Sequence, residues 1–286
     1  MMRIIYYKRH VKRINIKYKQ NNMAQLSTIY SAALKYSTAF IMLSGMLSMG
    51  QSDKKLSLEE QPVFKVSKAS EAVLIDGKMN EKIWKKTEAR KLDYFYKVDA
   101  PDDAQQTVFR MLWDEEYLYV FFQMKDKFLT VRETQRDGAP YLDDCAEIFF
   151  ITVPDSLDTH FGYELNLNKA ANDFIYFNDF YQGKDLAFKG FNPDYKVEVT
   201  YKGTINDNSD IDIGWTMELA IPISNFGYLG QVVPVAAGNR WAFLAIRQDR
   251  NDVEGDRRSI STIFPIYDIS KNVHQANRFG LMEFIE

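Results

Sequence analysis

The chain has 286 residues, and 46% of them are apolar. That excludes a disordered chain and allows one large core. Residues 1–50 hold eight Lys and Arg and no acid, which leaves 28 basic against 39 acidic residues in 51–286, a balance of −11; an acidic body repels phosphate polyanions, so nucleic acid is not an expected partner.

Residues 1–50 read as a leader. Lys35 precedes the apolar run AFIMLSGMLSM at 39–49, which is too short to span a bilayer. Ser48-Met49-Gly50 then offers small residues ahead of a cleavage point after Gly50. Met23 is the expected true start, because it gives an n-region of ordinary length. The leader predicts a secreted, periplasmic or cell-surface protein without a membrane span. No cysteine follows the apolar run, so no lipid anchor is expected. Residues 51–61 read as a linker and 62–286 as one domain.

Within that domain the expected helix is a single short one at 80–86, after IDGKM, with Glu81 in its first turn. Strand signals recur at 107–112, 117–124, 145–153, 162–168, 174–178, 195–201, 214–221, 241–248 and 279–285. Turn chemistry separates them: WDEE, RDGAP, VPDS, FNPD, NDNSD, AAGNR and VEGD. Many short strands with one short helix near the start predict an all-β protein, a β-sandwich or jelly roll.

Two of these strands carry polar residues that need explaining. In GYELNLN at 162–168, alternation puts Tyr163, Leu165 and Leu167 on one face and Glu164, Asn166 and Asn168 on the other. The strand at 145–151 is apolar on both faces and should be covered on both; Glu147 is its one charge and needs a cation or a polar cavity. Arg247 and Arg136 are the expected partners, Arg247 first. Cys145 is the sole cysteine. Set among Asp143, Asp144 and Glu147, it reads as a small buried hydrophobe and not a nucleophile.

Four segments together resemble the family 9 carbohydrate-binding module. LIDGKMNEKIW at 74–84 is similar to its opening turn and short helix. MLWDEEYLYVFFQMKD at 111–126 is similar to its strand, W-D turn and strand. APYLDDCAEIFF at 139–150 resembles its acidic approach to a V-E-I-F strand, and NVHQANRFGLMEF at 272–284 its closing strand. The resemblance implies a β-sandwich that binds sugar between two Trp rings flanked by acids and amides. Matched onto this chain, the first Trp falls on Tyr141 and the second near Val273, with His274 beside it. A family Arg falls on Glu164. The resemblance also implies structural calcium.

The expected function is therefore non-catalytic recognition of an oligo- or polysaccharide during glycan capture or breakdown, with a glycan-degrading enzyme as a candidate partner. The candidate ligand-binding residues are Tyr141, Asp144, Glu147, Glu164, Asn166, Arg247 and His274. Candidate calcium ligands are Asp207, Asp210 and Asp212 in NDNSDID, with Asp99, Asp102, Asp103 and Asp126 as further hard oxygen donors. The alternative is a glycoside hydrolase using Glu147 and Glu164, which would need carboxylates roughly 5–9 Å apart. A minor alternative is haem, which would need His160 and His274 to meet.

Overall fold

The computed structural model describes residues 62–96, 104–156, 159–230, 235–254, 258–266 and 272–286. They lie in a compact unit that runs from Lys55 to Glu286. The expected leader, the start at Met23, the cleavage after Gly50, the linker at 51–61 and the acids Asp99, Asp102 and Asp103 fall outside the described residues.

Among the described residues there are fourteen strands: β1 (Val63–Lys68), β2 (Ala89–Lys91), β3 (Tyr94–Tyr96), β4 (Thr107–Trp113), β5 (Tyr117–Lys125), β6 (Cys145–Ile151), β7 (Thr159–Asn166), β8 (Ala171–Tyr181), β9 (Lys184–Phe188), β10 (Lys196–Lys202), β11 (Gly214–Pro222), β12 (Arg240–Arg250), β13 (Arg258–Thr262) and β14 (Gly280–Ile285). Their hydrogen-bonded order is β10-β11-β5-β4-β1-β14-β12-β6-β7-β8-β9, with β2 added to β4, and β13 joining β12 to β3. Pairing is antiparallel except that β1 runs parallel to β14 and to β4. The expected all-β sandwich is what the chain adopts. All nine predicted strands form. Five strands were missed: β1, of six residues, and β2, β3, β9 and β13, which have no more than five residues each, too few to show a period.

The main core is aromatic. Phe64, Phe109 and Phe243 come from three different strands, with ring centroids 5.5–5.7 Å apart. Edge-to-face and offset pairs at such spacing add to plain burial. A second cluster lies on the other face of β5, where Phe121 packs on Trp84. The expected helix is a 3-10 turn, Lys82–Lys85, shorter than predicted, and Trp84 is its buried plug.

Glu218 explains why the I-D-G turn and that tryptophan go together. Its buried carboxylate accepts the backbone N–H of Asp76 and of Gly77 at 3.0 Å, and Trp84 Nε1–H at 3.1 Å. Gly77 sits at φ 74°, and a Cβ there would stand 2.9 Å from Thr200 Cγ2. Glycine meets both demands.

The central sheet region positions the candidate site. Every residue of β6 is buried, as both-face coverage predicted. β6 is flanked by β12 and β7, and β7 by β8.

Candidate functional site

Register places a polar row across three neighbouring strands. Glu147 on β6 stands opposite Glu164 on β7, which stands opposite Asn172 on β8. Gln248 on β12 lies diagonally beyond Glu147, whose direct partner there is Ile246. Two residues along each strand the row becomes aromatic: Phe149, Gly162, Phe174. A Cβ at Gly162 would come within 2.2 Å of the Phe174 ring, so glycine lets that ring lie across β7.

This sheet face floors a cavity of about 340 Å³. Glu147, Glu164, Asn172 and Gln248 are its polar floor; Phe174, Tyr176 and Ala187 continue it. Tyr141 stands at the rim, 38% exposed, on the 3-10 turn Pro140–Leu142. Pro140 opens that turn and is buried beneath it, so the ring is held on stiff backbone. Asn272, Val273 and His274 close the opposite side, and Tyr96, Ile260 and Lys189 complete the lining.

The floor is organised by amide-to-carboxylate bonds. Gln248 Nε2 donates to Glu147 Oε1 at 2.8 Å, and Asn172 Nδ2 donates to Glu164 Oε2 at 2.6 Å. The four residues are at most 5% exposed. Burial pushes Glu164 up to about 7, against the Asn172 amide and the charge of Lys189, which favour its ionised form.

The far wall is a ring stack. His274 lies 4.2 Å from Tyr176 at an interplanar angle of 9°, and 4.9 Å from Phe149 at 17°. His160 Nε2 and His274 Nδ1 share a hydrogen bond of 3.0 Å. Burial lowers both imidazoles, His274 to about 4 and His160 well below its ordinary value, so at neutral pH the pair is uncharged. The two histidines do meet, yet nitrogens in direct hydrogen-bond contact leave no room for an iron between them. The bis-histidine haem reading fails on that geometry.

Of the seven expected ligand residues, Tyr141, Glu147, Glu164 and His274 line the cavity. Asp144, Asn166 and Arg247 do not. Asn166 is a loop brace: its amide donates to Glu133 O and Asp143 Oδ2, and its Oδ1 accepts from Asn168 and Ala170 N–H. Asp144 accepts Thr130 N–H at 2.6 Å and Arg250 N–H at 2.8 Å. The expected Glu147–Arg247 pair does not form, because Arg247 stands opposite Ala146, on the other face of the sheet from Glu147. Its Nη2 donates instead to Asp126 and Asp249, 2.8 Å each. Arg136 pairs with Asp173.

Asp207, Asp210 and Asp212 do not converge. Asp212 accepts Leu129 and Thr204 N–H, Asp210 accepts the Thr204 hydroxyl, and Asp207 caps Ser209 N–H. The carboxylates that do converge are Asp126, Asp144 and Asp249, all buried, with one oxygen from each within 4.8 Å of the others. Calcium–oxygen distances of about 2.3–2.6 Å allow three ligand atoms at such spacing. With all three ionised the carboxylates would exceed the Arg247 guanidinium by two charges; burial together with Asp126 holds Asp144 well above the carboxylate range, so without a second cation protonation relieves part of that excess. A hard-oxygen, net-negative set of this kind fits calcium. Cys145 is buried, and burial raises its thiol well above the ordinary value.

Sequence reasoning missed Asn172, Gln248 and Tyr176. Asn172 was the findable one, since it follows the turn after β7 and must share a face with Phe174 and Tyr176.

A two-layered β fold with an aromatic-walled, amide- and carboxylate-floored cavity is the arrangement of a small-ligand binding module. The chain belongs to the carbohydrate family 9 binding domain-like family, whose model matches residues 75–286. Among solved structures it is similar to a family 9 carbohydrate-binding module from Caldicellulosiruptor kristjanssonii in complex with glucose (18% identity, 78% of this chain and 95% of that one, TM-score 0.51). The cellotriose complex from that organism gives 17% identity over 78% and 94%, TM-score 0.51. A proposed carbohydrate-binding protein from Bacteroides uniformis gives 15% over 79% and 100%, TM-score 0.55. At these identities the likeness shows the fold. No curated protein sequence matches the chain.

Proposed function

We propose that this chain is a secreted, non-catalytic carbohydrate-binding protein that captures an oligo- or polysaccharide in the cavity between Tyr141 and His274. The observation that carries the reading is the composition of that cavity: rings for the flat C–H faces of a pyranose, above a row of fixed carboxylates and amides for its hydroxyls. Family membership supports it, as do similar solved structures in complex with glucose and with cellotriose. A glycan-array screen of the full chain, with and without calcium, tests it. Binding of one glycan class that competes with its soluble oligomer is expected; an array blank at every concentration would remove the reading.

Hydrolysis is disfavoured by geometry. A glycosidase sets its two carboxylates on either side of the scissile bond. Glu147 and Glu164 project side by side from one sheet face. Calcium at Asp126, Asp144 and Asp249 is proposed as structural, with no part in chemistry. The sequence pattern of residues 1–50, expected to be a leader, supports export to the periplasm or cell surface, and a glycan-degrading enzyme is the proposed partner. Among the described residues no helix is long and apolar enough to cross a membrane.

A further inference from the structure

Across the core from the cavity, the outer face of β2, β4 and β5 carries unpaired positive charge. On β4, Phe109 stacks on Phe243 and Thr107 Oγ1 accepts from Arg247 Nη1 at 3.2 Å, so both point inward. Alternation then puts Val108 and Arg110 on the outer face. Arg110 stands opposite Ala89 on β2 and Phe121 on β5, and the next row is Lys91, Val108 and Gln123. Lys125 and Lys202 flank Gly214 in the row beyond. Lys91, Gln123, Lys125 and Lys202 are exposed, and Arg110 is half-buried. Arg110 Nε and Nη1 are enclosed without a hydrogen-bond partner, and burial acts on the guanidinium with no acid to offset it. Among the described residues none of these four cations forms an ion pair. The acids of the same face are committed: Glu218 to the turn at Asp76 and Gly77, Glu198 to Lys169. Even with the exposed Asp93 beyond β2 set against it, the patch is net positive, on a body whose balance is −11.

We infer that this outer face docks an acidic segment of a partner protein, with one carboxylate seated on Arg110 and its neighbours on Lys91 and Lys125. Charge complementarity selects the occupant. A carboxylate arriving at Arg110 Nη2 supplies the counter-charge that the fold omits, and a charge-assisted bond there is about twice as strong as a neutral one. A guanidinium is also less strongly hydrated than an ammonium, which suits it to pairing at an interface. The face is a poor seat for sugar: the ring beside Arg110, Phe121, is buried against Trp84, so no platform is left for a pyranose. The inference stands apart from the carbohydrate reading, because a partner docked here leaves the cavity open.

The test is photo-crosslinking of the full chain with a benzophenone-tagged octaglutamate peptide, at low salt and at about 0.5 M salt. Residues 1–50 are themselves basic, so the readout is the crosslinked position on the folded unit. Crosslinks are expected in 86–93, 106–112 and 121–127, and they should fade at high salt. Arg110→Gln and Lys125→Glu should each lower their yield about fivefold, while Lys184→Glu, an equal charge change outside the patch, should leave it unchanged. Lys125 is exposed, so its variant keeps the test valid if Arg110→Gln does not fold. Crosslinks absent from the three segments, or unchanged in the folded variants, would overturn the inference. An oligogalacturonate of similar charge that displaces the peptide as well as free octaglutamate does would overturn the choice of a protein partner. Salt-sensitive dimerisation abolished by Lys125→Glu would give the face to a second copy and overturn that choice too. Each failure leaves the carbohydrate reading standing, since the glycan array tests the other face.

Discussion

Glu147 and Glu164 bear on both ligand and stability. Glu164 is raised from about 4.5 in the unfolded chain to about 7 in the fold, chiefly by burial. Between those values the native state holds more protons than the unfolded one, so stability falls as pH rises across that window. The groups facing it are Glu147 from β6, Asn172 and Tyr176 from β8, Lys189, Gln248 from β12 and His274. His274 and His160 act with the opposite sign: lowered imidazoles lose stability as pH falls through the window from 6.5. Comparing Glu164→Gln with the parent isolates the carboxyl. Urea unfolding at pH 5 and pH 7.5 should show the parent losing up to about 3 kcal/mol more than the variant over that interval. Equal slopes would mean that Glu164 is ionised throughout. Arg247 belongs to a different argument. Its guanidinium is fully buried between Asp126 and Asp249, and removing one member of such a group strands the others. Arg247→Met should cost ~3–5 kcal/mol in urea unfolding. Folded variant should bind sugar as the parent does, because the residue is absent from the cavity lining.

At the scale of elements, the legible parts were those with a period or a named turn chemistry. Alternation placed β4 to β8, β10 to β12 and β14 correctly, and the apolar run at 145–151 announced a strand covered on both faces. What could not be read was register between strands distant in sequence. Arg247 and Gln248 are adjacent, and only the pairing of β12 with β6 decides which of them shares a face with Glu147; a shift of one residue exchanges them. The expected ion pair was lost on that point, and the amide that does the work was overlooked. The acids of the 139–150 segment divide for the same reason. Glu147 faces the cavity, whereas Asp143 and Asp144 turn back to accept N–H groups of the 130–133 loop. Glu218 yields a prediction at this scale. It holds the turn at Asp76 and Gly77 and the plug Trp84 with three hydrogen bonds. Glu218→Ala strands three N–H groups and should destabilise by about 3 kcal/mol or more. Thermal unfolding followed by tryptophan fluorescence checks it, and a melting point within a degree of the parent would refute it.

For the whole molecule, the sandwich is held by a main aromatic core and a smaller cluster around Trp84 and Phe121, and cross-braced by a buried charge cluster at Asp126, Asp144, Asp249 and Arg247. If calcium occupies that cluster, it binds the native state alone and stabilises by mass action, about 2.7 kcal/mol at a hundredfold excess over its Kd. Chelation should then lower the melting temperature with no direct effect on the cavity, and an unchanged melting curve would remove the metal from the account. The central claim is that the cavity beneath Tyr141 is where sugar binds. Tyr141 is exposed at the rim, so its removal spares the core. The most direct measurement is a calorimetric titration of the best array glycan into the parent and into Tyr141→Ala, at equal melting temperature. Loss of a stacked ring should weaken binding by ~1–2 kcal/mol, roughly five- to thirtyfold. Identical affinity in the two proteins would place the sugar elsewhere and contradict the account.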